Sequence, residues 1–144
     1  MIFKVMSGGL AALLISSPAE PSAVQDHGTV ERQFEMMSTL PQVGQTLFDR
    51  RFELGSGEKA SFTAELPAGP LLVVGFCDGD CTDLDLEATT LDGEEIDADR
   101  ALDDTPQLGF AVTTGLTAVV TVSMAGCYAQ RCAAGVRIAR YVAE

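Results

Sequence analysis

"LLVVGFCDGDCTDLDLEATTLDGEE", residues 71–95, decides the fold. LLVVGF is apolar on both of its faces, and so short and valine-rich a run fits a strand covered on both sides better than a buried helix. Beyond CDGDC the period becomes two. Leu84, Leu86 and Ala88 alternate with Asp83, Asp85 and Glu87, which gives one face toward a core and one toward water. LDGEE then supplies an Asp-Gly hairpin turn.

The same grammar extends in both directions. Upstream, from Leu47 onward, the period is two, and in ASFTAEL the residues Phe62, Ala64 and Leu66 alternate with polar neighbours before the LPAGP turn. Downstream come a short strand about EIDADR, an acidic loop ALDDTP, the strand QLGFAVTT and a turn at Gly115. LTAVVTVSM follows, with Leu116, Ala118, Val120, Val122 and Met124 on one face. The loop AGCYAQRCAAG and a closing strand VRIARYV end the chain. About seven or eight short strands punctuated in this way predict an all-β domain, a jelly-roll-like antiparallel β-sandwich, in which each half-apolar sheet buries its face against the other.

The 144 residues hold one such domain, assigned to residues 47–144. Residues 1–23, with one lysine, an apolar stretch from Val5 to Ile15 and then small residues and prolines, have the layout of a secretory signal peptide, cleaved after Ala19 or Ala23. The apolar run is shorter than the roughly 20 residues of a membrane span, so no membrane anchor is expected after cleavage. No cysteine stands near the cleavage point to carry a lipid. Residues 24–46 form a polar linker with a short helix ending before Pro41, because Val30, Phe34 and Met37 share one helical face.

Export bears on the four cysteines, since an oxidising compartment joins thiols that a cytosol keeps reduced. The expected location is periplasmic or extracellular. Cys77-x3-Cys81 and Cys127-x4-Cys132 fit zinc knuckles poorly, because those use two intervening residues, and a redox pair would want Cys-x-x-Cys. Two structural disulfides are expected. A link between the two loops would restrict the unfolded chain more, by about 4 kcal/mol against about 2 for a local ring. Placement points the other way: each pair brackets a short turn between strands, so the expected bridges are Cys77 with Cys81 and Cys127 with Cys132.

If consecutive strands run up and down, parity sends CDGDC, ALDDTP and CYAQRC to one pole and LDGEE and Gly115 to the other. The four cysteines would then share a pole with Asp78, Asp80, Asp83, Asp103 and Asp104, the candidate donors for calcium, which takes 6 to 8 oxygen ligands. An EF-hand is excluded: counted from Asp78, its glycine and glutamate positions hold Asp83 and Thr89. The competing reading makes these acids solvated loop residues that keep strand edges unattractive to other strands.

Residues 77–104 carry twelve Asp or Glu against one Arg100, nearly all of the chain's net charge of −12. Nucleic acid is therefore excluded as a partner, since phosphate binding needs Lys and Arg. The only histidine, His27, sits just after the leader, which leaves a Ser-His or Cys-His unit without a positioned base and a zinc hydrolase without ligands. The sequence predicts a non-enzyme that requires no cofactor, with calcium as the one ion its acids suit.

From about Phe52 onward the chain resembles bacterial pre-peptidase C-terminal domains, in particular the cysteine-bearing variants of small exported proteins. The residues that carry the resemblance are the LPAG turn before a strand, DLDL after CDGDC, the Asp-Gly turn, DDTP and the closing cysteine pair. It implies a jelly-roll-like, usually non-catalytic sandwich that aids secretion, folding or substrate attachment, sometimes with calcium. At Leu72 the family tends to carry an aromatic residue, and with no tryptophan a sugar-stacking face is poorly supported. The resulting expectation is a secreted accessory or binding module for an unknown secreted or envelope protein or polymer. Its alternative is a calcium-stabilised structural protein of the periplasm or cell surface.

Overall fold

A computed structural model describes residues 27–143, so the leader expected at residues 1–23 lies outside the described residues. A helix α1 (His27–Met37) precedes eight strands: β1 (Val43–Leu54), β2 (Lys59–Leu66), β3 (Gly69–Cys77), β4 (Cys81–Thr90), β5 (Glu95–Asp99), β6 (Gln107–Val112), β7 (Leu116–Cys127) and β8 (Cys132–Tyr141). They form two four-stranded sheets, ordered β1-β8-β3-β6 and β2-β7-β4-β5, and every pairing is antiparallel.

These orders contain one nested set of pairs: β1 with β8, β2 with β7, β3 with β6, and β4 with β5. The chain is thus one long hairpin, its tip at residues 91–94, rolled so that alternate pairs fall in opposite sheets. That is the jelly-roll arrangement. Between the sheets lies the main core, built by Leu66, Leu71, Val73, Leu84, Leu86, Val120, Val122, Met124, Val136 and Ile138, all 2% exposed or less. The alternation seen in β4 and β7 places their apolar residues here.

β3 is apolar on both faces because both are covered. Leu71 and Val73 face the main core, whereas Val74 and Phe76 form a second cluster with Val30, Phe34 and Met37 of α1 and Ala133 of β8. The helix therefore packs on the outer face of the first sheet. Burying Phe34 alone contributes about 1.5–3 kcal/mol before conformational entropy is counted. Its ring meets Phe76 edge-on at 4.7 Å between centroids. Close approach is possible only because β8 carries Gly135 opposite: a Cβ there would lie 2.9 Å from both rings.

An ion pair fixes the helix further. The Arg137 guanidinium, 8% exposed, donates through Nε and Nη2 to the Asp49 carboxylate at 2.8 and 2.9 Å. Its Nη1 donates to the Phe34 carbonyl at 3.1 Å and the Ser38 hydroxyl at 2.9 Å, so four of its five N–H donors are engaged where burial makes unpaired charge costly. Glu31 of the helix pairs with Arg51 of β1.

The two open sheet edges on one side are closed by acids. Asp97 Oδ2 and Asp99 Oδ2 on β5 accept the Gly109 and Gln107 N–H groups of β6 at 3.1 and 2.9 Å, joining the edge of one sheet to the edge of the other. Carboxylates here take the place of a further strand.

Candidate functional site

The loops at residues 55–58, 78–80, 100–106 and 128–131 meet at one pole, as strand parity predicts. Cys77 bridges Cys81 and Cys127 bridges Cys132, and among the described residues no cysteine is free. Cys81 and Cys127 are register partners on β4 and β7, which sets the two bridges side by side.

Backbone hydrogen bonds bind the loops to one another. Asp78 N–H donates to the Ala133 carbonyl at 3.0 Å, Tyr128 N–H to the Asp80 carbonyl at 2.8 Å, and Leu84 N–H to the Asp103 carbonyl at 2.9 Å. The Ser56 hydroxyl donates to the Cys127 carbonyl at 3.1 Å and accepts its N–H at 2.9 Å.

Asp78 is the centre of this arrangement. It is 2% exposed, and its Oδ1 and Oδ2 accept the N–H groups of Asp80 and Ala133 at 3.1 and 2.9 Å. A buried N–H without a partner costs free energy comparable to a lost hydrogen bond, and this carboxylate supplies two acceptors, one for its own loop and one for the start of β8.

The remaining calcium candidates are also placed. Asp103 Oδ1 accepts the Thr105 N–H and Asp104 Oδ1 the Thr105 hydroxyl, both at 3.0 Å, while Asp80 is exposed. Asp83 lies on the outer face of β4. Among the described residues no three His, Cys, Asp or Glu side chains come together in a way that could hold a metal ion. The fold brings the loops together and turns the carboxylates of Asp78, Asp103 and Asp104 to backbone donors and a hydroxyl.

Asp83 and Asp85 differ from the solvated face expected for them. Both are half-buried, and each has an Oδ1 that is buried without a hydrogen-bond partner. Burial, followed by the neighbouring Asp83 charge and a hydrogen bond to Asp83, pushes the Asp85 carboxyl up from the ordinary 3.8, against the pull of Arg100.

Two side chains at the pole were not singled out from the sequence. Leu102 on the 100–106 loop is 90% exposed and Tyr128 on the 128–131 loop is 85% exposed, the highest values among the described large apolar residues. Their only sequence signal was an apolar residue inside an otherwise polar loop.

No protein-family model matches this chain, and no curated protein matches it. Among solved structures, the crystal structure of Aeromonas hydrophila PliG, a periplasmic lysozyme inhibitor of g-type lysozyme, is similar over 67% of this chain and 86% of that one, with 10% identity and a TM-score of 0.47. The resemblance to pre-peptidase C-terminal domains rests on the residues quoted for it alone. Among the described residues no helix is long and apolar enough to cross a membrane.

Proposed function

We propose that this chain is a secreted, non-catalytic binding module, periplasmic or extracellular, that presents its disulfide-clamped pole to a basic protein surface. The observation that carries this reading is the near-complete exposure of Leu102 and Tyr128 on loops whose backbones are bridged and hydrogen-bonded into place. Leaving apolar groups in water is unfavourable, and holding their loops rigid reduces the entropy lost when a partner covers them. Tyrosine is enriched among the residues that carry binding energy at protein interfaces. Asp103 and Asp104 follow Leu102, and Asp80 is bonded to Tyr128, so the complementary surface is basic.

Secretion is supported by the two disulfides. A non-catalytic role is supported by the residue inventory: His27 is the only histidine in the sequence, so catalytic units that use histidine as base have a single candidate.

The test uses the mature, oxidised protein immobilised and exposed to envelope extract of its own source, alongside the Leu102→Asp/Tyr128→Ser double variant. The expected outcome is one stoichiometric basic protein retained by the wild type, released by salt, and bound by the variant at least about a hundredfold more weakly once purified. Retention that is indifferent to the double substitution, or no retained protein, would refute the reading.

A further inference from the structure

A second site lies on the outer face of the first sheet, beside the 100–106 loop. Helix α1 covers the Phe76 end of the outer face of the first sheet and stops short of Leu72, which stays half-buried although it stands on the same face as buried Val74 and Phe76. Between the helix and the sheet a groove of about 280 Å³ remains. That is close to the lower end for small-molecule sites, about 300–1,000 Å³. Its apolar walls are Met36, Met37, Leu40, Leu72, Val74 and Phe76.

What the groove lacks defines its occupant. In a chain where 21% of residues are charged, no Asp, Glu, Lys or Arg lines it. The polar residues at its margin are amides and hydroxyls. Three of them are already engaged: Gln33 Nε2 donates to the Cys77 carbonyl, the Thr39 hydroxyl to the Met36 carbonyl, and the Thr105 hydroxyl to Asp104. The side-chain amides of Gln42 and Gln107 make no hydrogen bond to the described residues.

A charged ligand would be desolvated here without a counter-charge, whereas a neutral head group would find donor and acceptor together on each amide. Thioether side chains at the walls adapt to a flexible chain.

We infer that this groove binds a small uncharged amphiphile, an alkyl chain seated against Leu72 and Val74 with an amide or hydroxyl head at Gln42 and Gln107. The site is independent of the protein-binding role assigned to the pole.

The probe is N-phenyl-1-naphthylamine, a neutral fluorophore, titrated into the full oxidised protein with 1-decanol, decanamide, decanoate and decylammonium as competitors. One probe molecule per chain is expected, displaced by the alcohol and the amide, with the two ions at least about tenfold weaker.

Met36→Trp, at a position 66% exposed and so compatible with folding, fills the mouth of the groove. Leu72→Gln makes its floor polar. Each variant is expected to lower probe affinity at least about tenfold with an unchanged far-ultraviolet dichroism spectrum, whereas Leu102→Asp leaves it intact. Absence of saturable uptake, equal competition by the ions, or indifference to both variants would overturn the inference. So would a dimer in sedimentation that Met36→Trp dissociates, which would assign the groove to a second copy of the chain.

Discussion

Removing the Asp49 carboxylate tests whether α1 belongs to the folded core. In Asp49→Ala the Arg137 guanidinium loses two charge-assisted hydrogen bonds of 2.8 and 2.9 Å and keeps only the Phe34 carbonyl and the Ser38 hydroxyl. Breaking a buried pair costs about 3–5 kcal/mol because one charge is left without its partner. Asp49 is 24% exposed, so water reaches the vacated side and the expected loss falls to about 2–3 kcal/mol. Arg137→Met keeps an apolar stem over Phe34 but strips the helix of its sheet-side donor, and should cost about 1–2 kcal/mol. The double variant removes the orphaned charge altogether, so it should be less damaged than the two losses combined, with a coupling of about 1–2 kcal/mol. Urea unfolding followed by far-ultraviolet dichroism gives all three values. Additivity within about 0.5 kcal/mol, or a single-variant loss below that for Asp49→Ala, would refute the account of the pair as the anchor of the helix.

Three further outcomes are expected. Gly135→Ala places a methyl 2.9 Å from the rings of Phe34 and Phe76 and should destabilise by about 1–3 kcal/mol in the same assay, with much of the loss recovered when Phe34→Leu is added. Opening the second bridge by Cys127→Ser/Cys132→Ser should lower stability by about 2 kcal/mol, read from the urea midpoint, and should weaken partner binding at the pole by loosening the Tyr128 loop. For Asp85 the folded carboxyl holds its proton to higher pH than the unfolded one, so stability contributed by the protonated form falls as pH rises above 3.8. Asp85→Asn should therefore be more stable than the wild type at neutral pH, with an advantage that shrinks on acidification and disappears below 3.8; an advantage constant across pH would contradict this.

The strands were legible where one face is apolar and the other polar, as in β4 and β7, because a period of two leaves few alternatives. The local pairing of Cys77 with Cys81 and of Cys127 with Cys132 also followed from their placement around turns. The start of β1 was missed: its first residues, Gly44, Gln45 and Thr46, carry no apolar alternation, and register shifts between Val43 and Phe48 break the pattern. For α1 the three buried positions Val30, Phe34 and Met37 were visible, but not their destination. The outer face of β3 needed a cover, and sequence alone does not join two half-signals far apart in the chain. The acids were hardest to read. Asp78, Asp97 and Asp99 look like any solvated carboxylate until the backbone donors they serve are placed beside them, since those donors belong to other strands: β8 for Asp78, and β6, across the acidic loop, for Asp97 and Asp99. The groove was invisible for a similar reason: it is the space left by how far a helix reaches along a sheet.

Nested pairing gives the chain an unusual relation between oxidation and folding. Val43 meets Tyr141 and Lys59 meets Ser123, so most contacts join residues far apart, and such high contact order slows the search for the native topology. The two bridges close rings of neighbouring residues, with separations of 4 and 5. They can form in the unfolded chain as soon as each local turn closes, before any strand has found its partner. A newly oxidised chain that carries them has fixed two turns and no long-range pairing, so its thiols are removed from exchange without a mistaken cross-link to undo while the roll closes.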